Sequence, residues 1–338
     1  MKSFTVGAND VQMRLSRFVE SVTNRLPSSL LYKSFRNGRI KVNGKKAKPD
    51  YRLQPGDKID LYLVDEFFEN VPQKKAPVLR KVPFQVVFED ENLLIVHKPA
   101  GVLCHSDNTG DPCLVEGITR YLTEKGDYDP AAQNTFAPAV CNRLDRGTQG
   151  LVIAAKNAAA LRSVNRLIRE DGITKTYLCL AFGRCPDGIY EAWHFHRPDA
   201  KTVQLSRRPR TDRASGQSYK PIRTGVHLLR YAGEIGLYRI MLYTGRTHQI
   251  RAHMRLLGHP LLGDRKYGDP AVNERWPMKN QALCAAGLRF ADDIDDPLLL
   301  PYAGKKISNP YCTLEALFAE LTGQPTDAAD AQPSEART

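Results

Sequence analysis

Two stretches of the 338-residue chain gather side chains that could do chemistry. The first is Asn142-Arg143-Leu144-Asp145-Arg146-Gly147-Thr148-Gln149-Gly150, which runs straight into the apolar residues 151–155. An aspartate between two arginines would be held ionised by its neighbours. A turn feeding a core strand would also fix it accurately. Such a carboxylate can serve as a nucleophile or base, although this segment alone fits a structural salt bridge equally well. The second stretch runs from Thr244 through Gly245-Arg246-Thr247-His248-Gln249-Ile250-Arg251-Ala252-His253 to Gly258. Thr247 suits a helix N-cap, and Gly258 suits the residue beyond the C-terminus. On that helix Ile250, Met254 and Leu257 share one face, and His248, Arg251 and Arg255 share another. A cationic face beside a core face suits a carboxylate or a phosphate backbone.

Other chemistries find less support. His248 and His253 are five apart, off the i, i+4 spacing of two ligands on one helix face. The seven cysteines (104, 113, 141, 179, 185, 284 and 312) form no Cys-x-x-Cys pair, so no metal site is expected and the thiols read as reduced in a cytoplasmic protein. No Gly-x-x-x-x-Gly-Lys loop, Gly-x-Gly-x-x-Gly turn or Gly-x-Ser-x-Gly elbow is present, so no nucleotide cofactor is expected. No run approaches the roughly 20 apolar residues of a membrane span.

The elements that must hold these residues fall into two groups. Lys and Arg exceed Asp and Glu by 49 to 37, and residues 1–82 alone hold 17 basic and 8 acidic side chains. A basic module attached to a nearly neutral body is suited to a polyanion. Within it Val11, Leu15, Phe18 and Val22 recur at helical spacing, with Arg14 and Arg17 towards the other face. Pro27 suits the first turn of a second helix, with Leu31 and Phe35 inward, Arg36 outward and Gly38 as terminator. Arg39-Ile40-Lys41-Val42 alternates, and Asn43-Gly44 is a hairpin turn. Residues 66–82 show no clear period and read as connecting chain, and the polar stretch 323–338 reads as a disordered tail.

In the body, strands are expected at 84–88, 93–96, 151–155, 176–181, 238–243 and 283–290. Helices are expected near 114–125, 158–169 (with Asn157 as N-cap), 247–257 and 313–321. Half-apolar strands, unevenly interleaved with helices, predict an α+β body with a mixed, mainly antiparallel sheet. The division expected is 1–72 RNA-binding, 73–82 linker, 83–322 catalytic and 323–338 tail.

The N-terminal segment resembles the RNA-binding domain named after ribosomal protein S-four, through Leu15-Ser16-Arg17-Phe18, Arg39 to Gly44 and Leu53-Gln54-Pro55-Gly56-Asp57. The body resembles the RluA-type pseudouridine synthases. The matching blocks are Val96-His97-Lys98-Pro99-Ala100-Gly101-Val102 with His105, then Arg143-Leu144-Asp145-Arg146-x-Thr148-x-Gly150, then Lys175-Thr176-Tyr177. Gly245 to His253 follows, with Gly258-His259-Pro260 and Gly263-Asp264-x-x-Tyr267-Gly268. Two positions depart from the family pattern, Asn142 for a histidine and Gln149 for a serine.

These resemblances imply the pseudouridine synthase fold and isomerisation of uridine to its C-glycoside in RNA, with large-subunit ribosomal RNA favoured and transfer RNA possible. Asp145 matches the essential aspartate, Arg251 the arginine that pairs with it, and Tyr177 the tyrosine that stacks on the base. Arg143 matches a position that fills the stack vacated by a flipped nucleotide. Arg246 and Arg255 are candidates for RNA backbone contacts, as are Arg14, Arg17, Arg36 and Lys41 in the N-terminal module. No cofactor, metal or membrane is implied, and a monomer is expected. The rivals are a non-catalytic RNA-binding or ribosome-assembly factor, and a metal-dependent RNA hydrolase using Asp145, His248 and Asp264.

Overall fold

The computed structural model describes residues 1–69, 82–107, 109–197, 200 and 202–324. The expected linker, except Val82, and the expected tail beyond Gln324 lie outside these residues.

The N-terminal residues form a four-stranded sheet under two helices. Strands β1 (Lys2–Thr5), β2 (Ile40–Val42), β3 (Lys45–Lys46) and β4 (Lys58–Leu61) lie in the order β1-β4-β2-β3. Helix α1 (Leu15–Val22) turns Leu15, Phe18, Val19 and Val22 inward, and α2 (Ser28–Arg36) turns Leu31 and Phe35 inward. Asn43 and Gly44 adopt φ of 51° and 75°, the left-handed pair that a two-residue hairpin demands. Two features were not foreseen. β1 is a short, largely exposed edge strand with little apolar signal. Phe67 and Phe68 pack onto the small core, so the stretch without clear period that begins at residue 66 does not lie wholly outside this unit.

The body is built on an eleven-stranded sheet. Its strands are β5 (Gln85–Glu89), β6 (Leu93–Lys98), β7 (Ala139–Val140), β8 (Gln149–Ala155), β9 (Ile173–Phe182), β10 (Gly188–Phe195), β11 (Gln204–Ser206), β12 (Lys220–Ala232), β13 (Ile235–Leu242), β14 (Leu283–Phe290) and β15 (Lys306–Ser308). The order is β11-β10-β12-β13-β9-β14-β8-β6-β5, with β15 on β14 and β7 on β8. Among the strands of the described residues only β14 and β8 pair in parallel, so the expected mixed, mainly antiparallel sheet is what forms. Its helices are α3 (Leu114–Lys125), α4 (Ala158–Arg169), α5 (Gln249–Leu256), α6 (Pro270–Arg275) and α7 (Leu314–Thr322). Asn157 caps α4 by accepting from Ala160 N at 2.8 Å, as its position suggests.

Period-two alternation explains how this sheet is covered. Along β9, Tyr177, Cys179 and Ala181 enter the larger core, while Leu178 and Leu180 join Leu314 and Phe318 of α7 on the opposite face. Burial on both faces holds the central strands, and therefore the site, in fixed register.

The small unit meets the body through polar contacts. The buried Asp10 accepts from Asn134 Nδ2 at 2.7 Å and Thr135 Oγ1 at 2.5 Å. Asn9 donates to Gln133 Oε1 at 2.8 Å and accepts from Ala158 N, the first N–H of α4, at 2.8 Å.

Candidate active site

Asp145 stands on a turn that is fastened on several sides. Its carbonyl accepts from Thr148 N at 3.0 Å, and Thr148 Oγ1 accepts from Gln281 Nε2 at 3.0 Å. Beneath it the fully buried Lys98 donates to the carbonyls of Pro99, Val102 and Arg146 at 2.9, 2.8 and 3.2 Å. Burial pulls the Lys98 ammonium down to about 8, which leaves it charged at pH 7. The departure at Asn142 has a visible role. Its side chain accepts from Ile153 N at 2.8 Å and donates to Leu151 O at 3.3 Å, tying the turn to β8. Gln149 Nε2 lies 3.4 Å from Thr313 Oγ1.

Sheet register then brings a second functional side chain near. Gly150 pairs with Ala285, and Ala285 pairs on its other side with Tyr177. Tyr177 therefore sits two strands, about 10 Å of backbone, from the end of the Asp145 turn. A Cβ at Gly150 would lie 2.4 Å from both the N and O of Ala285, and its φ is 122°, so only glycine allows this approach.

Helix α5 supplies the rest. Its N-cap is His248, at a left-handed φ of 54°, and not Thr247, because the chain must turn sharply before entering the helix. The buried Gln249 secures that turn: it accepts from Thr244 Oγ1 and Arg246 N and donates to Arg223 O and Thr224 Oγ1, at 2.9 to 3.2 Å. A left-handed non-glycine residue held this firmly is strain of the kind found at functional sites. One turn on, Arg251 is buried between two carboxylates. It donates Nε and Nη2 to Asp264 at 2.7 and 2.8 Å, and Nη1 to Asp145 Oδ2 at 2.7 Å. Burial alone would lower the guanidinium pKa, but Asp264 and then Asp145 more than offset that and raise it. Burial pushes the Asp264 carboxyl up, but the Arg251 guanidinium and the N–H groups of Tyr267 and Lys266 bring it well below the usual range.

The other Asp145 oxygen is left towards the cleft, with His248 Nε2 3.8 Å away. Tyr267 sets the state of that imidazole. Its Oη accepts from Val203 N at 2.7 Å, which leaves its own proton free to donate to His248 Nδ1, 2.8 Å away. This arrangement makes Nε2 the protonated nitrogen, facing Asp145. Burial holds the imidazole well below its ordinary value, and hence neutral at pH 7, despite the raising effect of Asp145. Asp264 and Tyr267 belong to a sequence block quoted above, but no spacing rule assigned either a role. Only the fold puts Asp264 beside Arg251 and Tyr267 beside His248.

Arg143, Leu144, Asp145, Tyr177, Arg246 and Arg251 line one open cleft of about 70 Å³. Leu242, Ile250 and Leu283 give it apolar walls suited to a flat base. Burial and then the Asp145 charge raise the Tyr177 phenol, so it enters any reaction protonated. Arg143 and Arg246 are exposed at the mouth. Arg255 lies further along α5, half-exposed, with Nη1 3.2 Å from Asp269. The four N-terminal candidates sit on the small unit, on elements that do not line the cleft. Arg14, Arg17 and Arg36 are exposed, Arg17 is 3.6 Å from Glu20, and Lys41 Nζ is 5.3 Å from the Tyr62 ring.

With this geometry in place, similarity to known proteins gives it a family. Residues 92–256 match the family model described as RNA pseudouridylate synthase, and residues 35–59 match that of the S4 domain. A protein of Salmonella typhi named ribosomal large subunit pseudouridine synthase C is 31% identical over 305 residues, covering 86% of this chain and 88% of that protein. Its namesake in Pasteurella multocida is 32% identical over 281 residues, covering 81% and 80%. Among solved structures, human RNA pseudouridylate synthase domain containing 4 shares the fold, with a TM-score of 0.50 and 20% identity over 71% of this chain and 90% of that one. The chain belongs to the RNA pseudouridine synthase family, whose members are isomerases acting on RNA.

Proposed function

We propose that this chain isomerises uridines in large-subunit ribosomal RNA, with Asp145 as the nucleophile. The observation that carries the reading is the single bond from Arg251 to Asp145 Oδ2 at 2.7 Å, which leaves the other carboxylate oxygen in the same cleft as Tyr177. The Salmonella typhi and Pasteurella multocida relatives support the choice of RNA, as both are named for the ribosomal large subunit. A uridine inside a helix is out of reach, so the nucleotide is flipped out at a cost of a few kcal/mol. Arg143 fills the vacated stack with its planar guanidinium, and Arg246 contacts the backbone at the mouth.

Once inside, the uracil ring stacks against Tyr177. Asp145 promotes cleavage of the glycosidic bond, the ring turns, and carbon 5 bonds to the sugar. The proton at carbon 5 then leaves, and the ring nitrogen freed by the cleavage takes one up, so the product has the atoms of the substrate. Arg251 remains a cation throughout and keeps the carboxylate oriented; Tyr177 holds or passes a proton at its Oη. Atoms and oxidation state are conserved, so the reading asks for no redox or nucleotide cofactor. We place residues 1–72 as the RNA-binding domain, with Arg14, Arg17, Arg36, Lys41 and, on the body, Arg255 as phosphate contacts. Residues 83–322 are the catalytic domain, and the protein works as a cytoplasmic monomer.

Chemical mapping of pseudouridine after incubation with large-subunit ribosomal RNA, and separately with bulk transfer RNA, tests the substrate. New sites in the ribosomal RNA alone are expected. Tight binding without modification of either RNA would favour a non-catalytic assembly factor.

A further inference from the structure

None of the seven cysteines lines the cleft, yet two of them meet directly behind it. Cys284 stands on β14, paired with Gln149 on one side and with Leu178, the neighbour of Tyr177, on the other. Its side chain lies in the core under α7, on the face of the sheet away from the cleft. Cys312 packs against the same core and immediately precedes Thr313, the N-cap of α7.

Asn309 brings the two together. Just past the β14–β15 pairing, Asn309 N bonds Ala286 O at 2.9 Å. Its side-chain Nδ2 donates to Cys284 Sγ at 3.4 Å and Ala285 O at 3.2 Å. The chain then folds back, with Cys312 N on Asn309 O at 3.4 Å. This return leaves the Cys284 and Cys312 thiols hydrogen-bonded to each other.

The two sulfurs are unequal. Cys284 is fully buried, and the bond to Cys312 together with burial pushes its thiol up. Cys312 is half-buried. The Cys284 S–H, and then the Leu314 N–H in the first turn of α7, hold its thiol below the ordinary value despite burial. Burial raises the other five, and Cys141, the other half-buried thiol, is pushed up to about 12. An accessible sulfur favoured as thiolate, with a second thiol in contact, makes an attacking and a resolving cysteine.

We propose that Cys312 and Cys284 form a redox modification site, which a hydroperoxide oxidises to a reversible disulfide that slows turnover at Asp145. The Cys312 thiolate attacks the hydroperoxide, the O–O bond breaks, and the leaving oxygen takes up a proton to depart as water or an alcohol. The Cys284 sulfur then attacks the sulfenic acid on Cys312. An S–S bond forms, the S–OH bond breaks, and the hydroxide leaves as water with the Cys284 proton. Two electrons pass from the thiols to the hydroperoxide, and an external dithiol returns them.

The site reaches the chemistry through Gln149. An S–S bond of about 2 Å is shorter than any hydrogen bond between thiols, so closing it draws Cys312 towards β14. Thr313, the next residue, lies 3.4 Å from Gln149 Nε2, at the start of the strand that leaves the Asp145 turn. Turnover should fall by about tenfold, since a misplacement of about 1 Å can cost a hundredfold.

The test treats the reduced protein with hydrogen peroxide and follows intact mass, peptide linkage and turnover together. Wild type should lose two hydrogens, link Cys284 to Cys312 and slow down, with dithiothreitol reversing all three. Cys312→Ser should start at the turnover of wild type and keep it in peroxide. Cys284→Ser should stop at a sulfenic acid on Cys312, trapped by dimedone; if it fails to fold by circular dichroism, Cys284→Ala serves. Wild-type thiols that both stay free would overturn the site. A disulfide that leaves turnover unchanged, or an equal loss of turnover in Cys312→Ser, would overturn its link to Asp145. The mass readout needs no RNA, so it decides the site even if ribosomal RNA proves not to be the substrate.

Discussion

Arg251 meets Asp264 with two nitrogens, Nε to Oδ2 at 2.7 Å and Nη2 to Oδ1 at 2.8 Å, and gives only Nη1 to Asp145. Asp264, with no exposed side-chain surface, fixes the plane of the guanidinium, and that plane in turn fixes the carboxylate at the cleft. Asp264→Asn leaves a buried cation short of a partner. We expect a loss of about 3–5 kcal/mol in urea denaturation. We also expect at least a tenfold slower turnover, although Asp264 does not line the cleft. Arg251→Lys should fail in the same way, because an ammonium cannot reproduce a fork to one carboxylate and a third bond to another.

Tyr267→Phe removes the hydroxyl that accepts from Val203 N and faces His248 Nδ1. With that partner gone, nothing fixes the proton on Nε2, opposite Asp145. The expected result is a fall in kcat of about tenfold, the size of one hydrogen bond, with KM for RNA within twofold. A rise in KM with unchanged kcat would show that the hydroxyl serves binding instead.

Helices 114–125 and 158–169 and strand 283–290 are legible to the residue, since the Asn157 cap, Gly126 just past the first helix and a dense apolar pattern mark them. β12, the longest strand, was not, because exposed Lys220, Arg223 and His227 break the apolar run on its outer face. Thr247 looked the better cap by composition, but the turn pinned by Gln249 moves the cap to His248. For the site, Asp145 and Arg251 lie 106 residues apart, and no periodicity pairs them. The family resemblance supplied that pair; the role of Asp264 needed the fold.

Gly150→Ala would push a methyl group to 2.4 Å from the backbone of Ala285, at a φ that a side chain rarely adopts. The strand must move, carrying the Asp145 turn with it. Thermal unfolding should show a destabilisation of about 1–3 kcal/mol or more, and turnover should fall further than stability at the assay temperature explains.

His253 is buried, with Nδ1 3.0 Å from Thr224 Oγ1 and no partner for Nε2 among the described residues. Burial lowers its pKa to about 4, against about 6.5 in an unfolded chain. Between those values the unfolded state binds a proton that the folded state does not, so stability falls as pH falls. The slope reaches about 1.4 kcal/mol per pH unit for one such group. Urea denaturation at pH 7 and pH 5 should show this loss, and His253→Leu should reduce it. Parallel losses in the two proteins would place the acid sensitivity elsewhere.

The central claim is that the Asp145 carboxylate does the chemistry. It is tested most directly by release of tritium from carbon 5 of uracil in ribosomal RNA, comparing wild type with Asp145→Asn. The substitution keeps shape and removes charge. Release by wild type, none by the variant, and RNA affinity within about threefold is the predicted result, since the one charge removed is far outnumbered by the protein cations that meet the RNA phosphates. Release by Asp145→Asn at a rate near that of wild type would contradict the account.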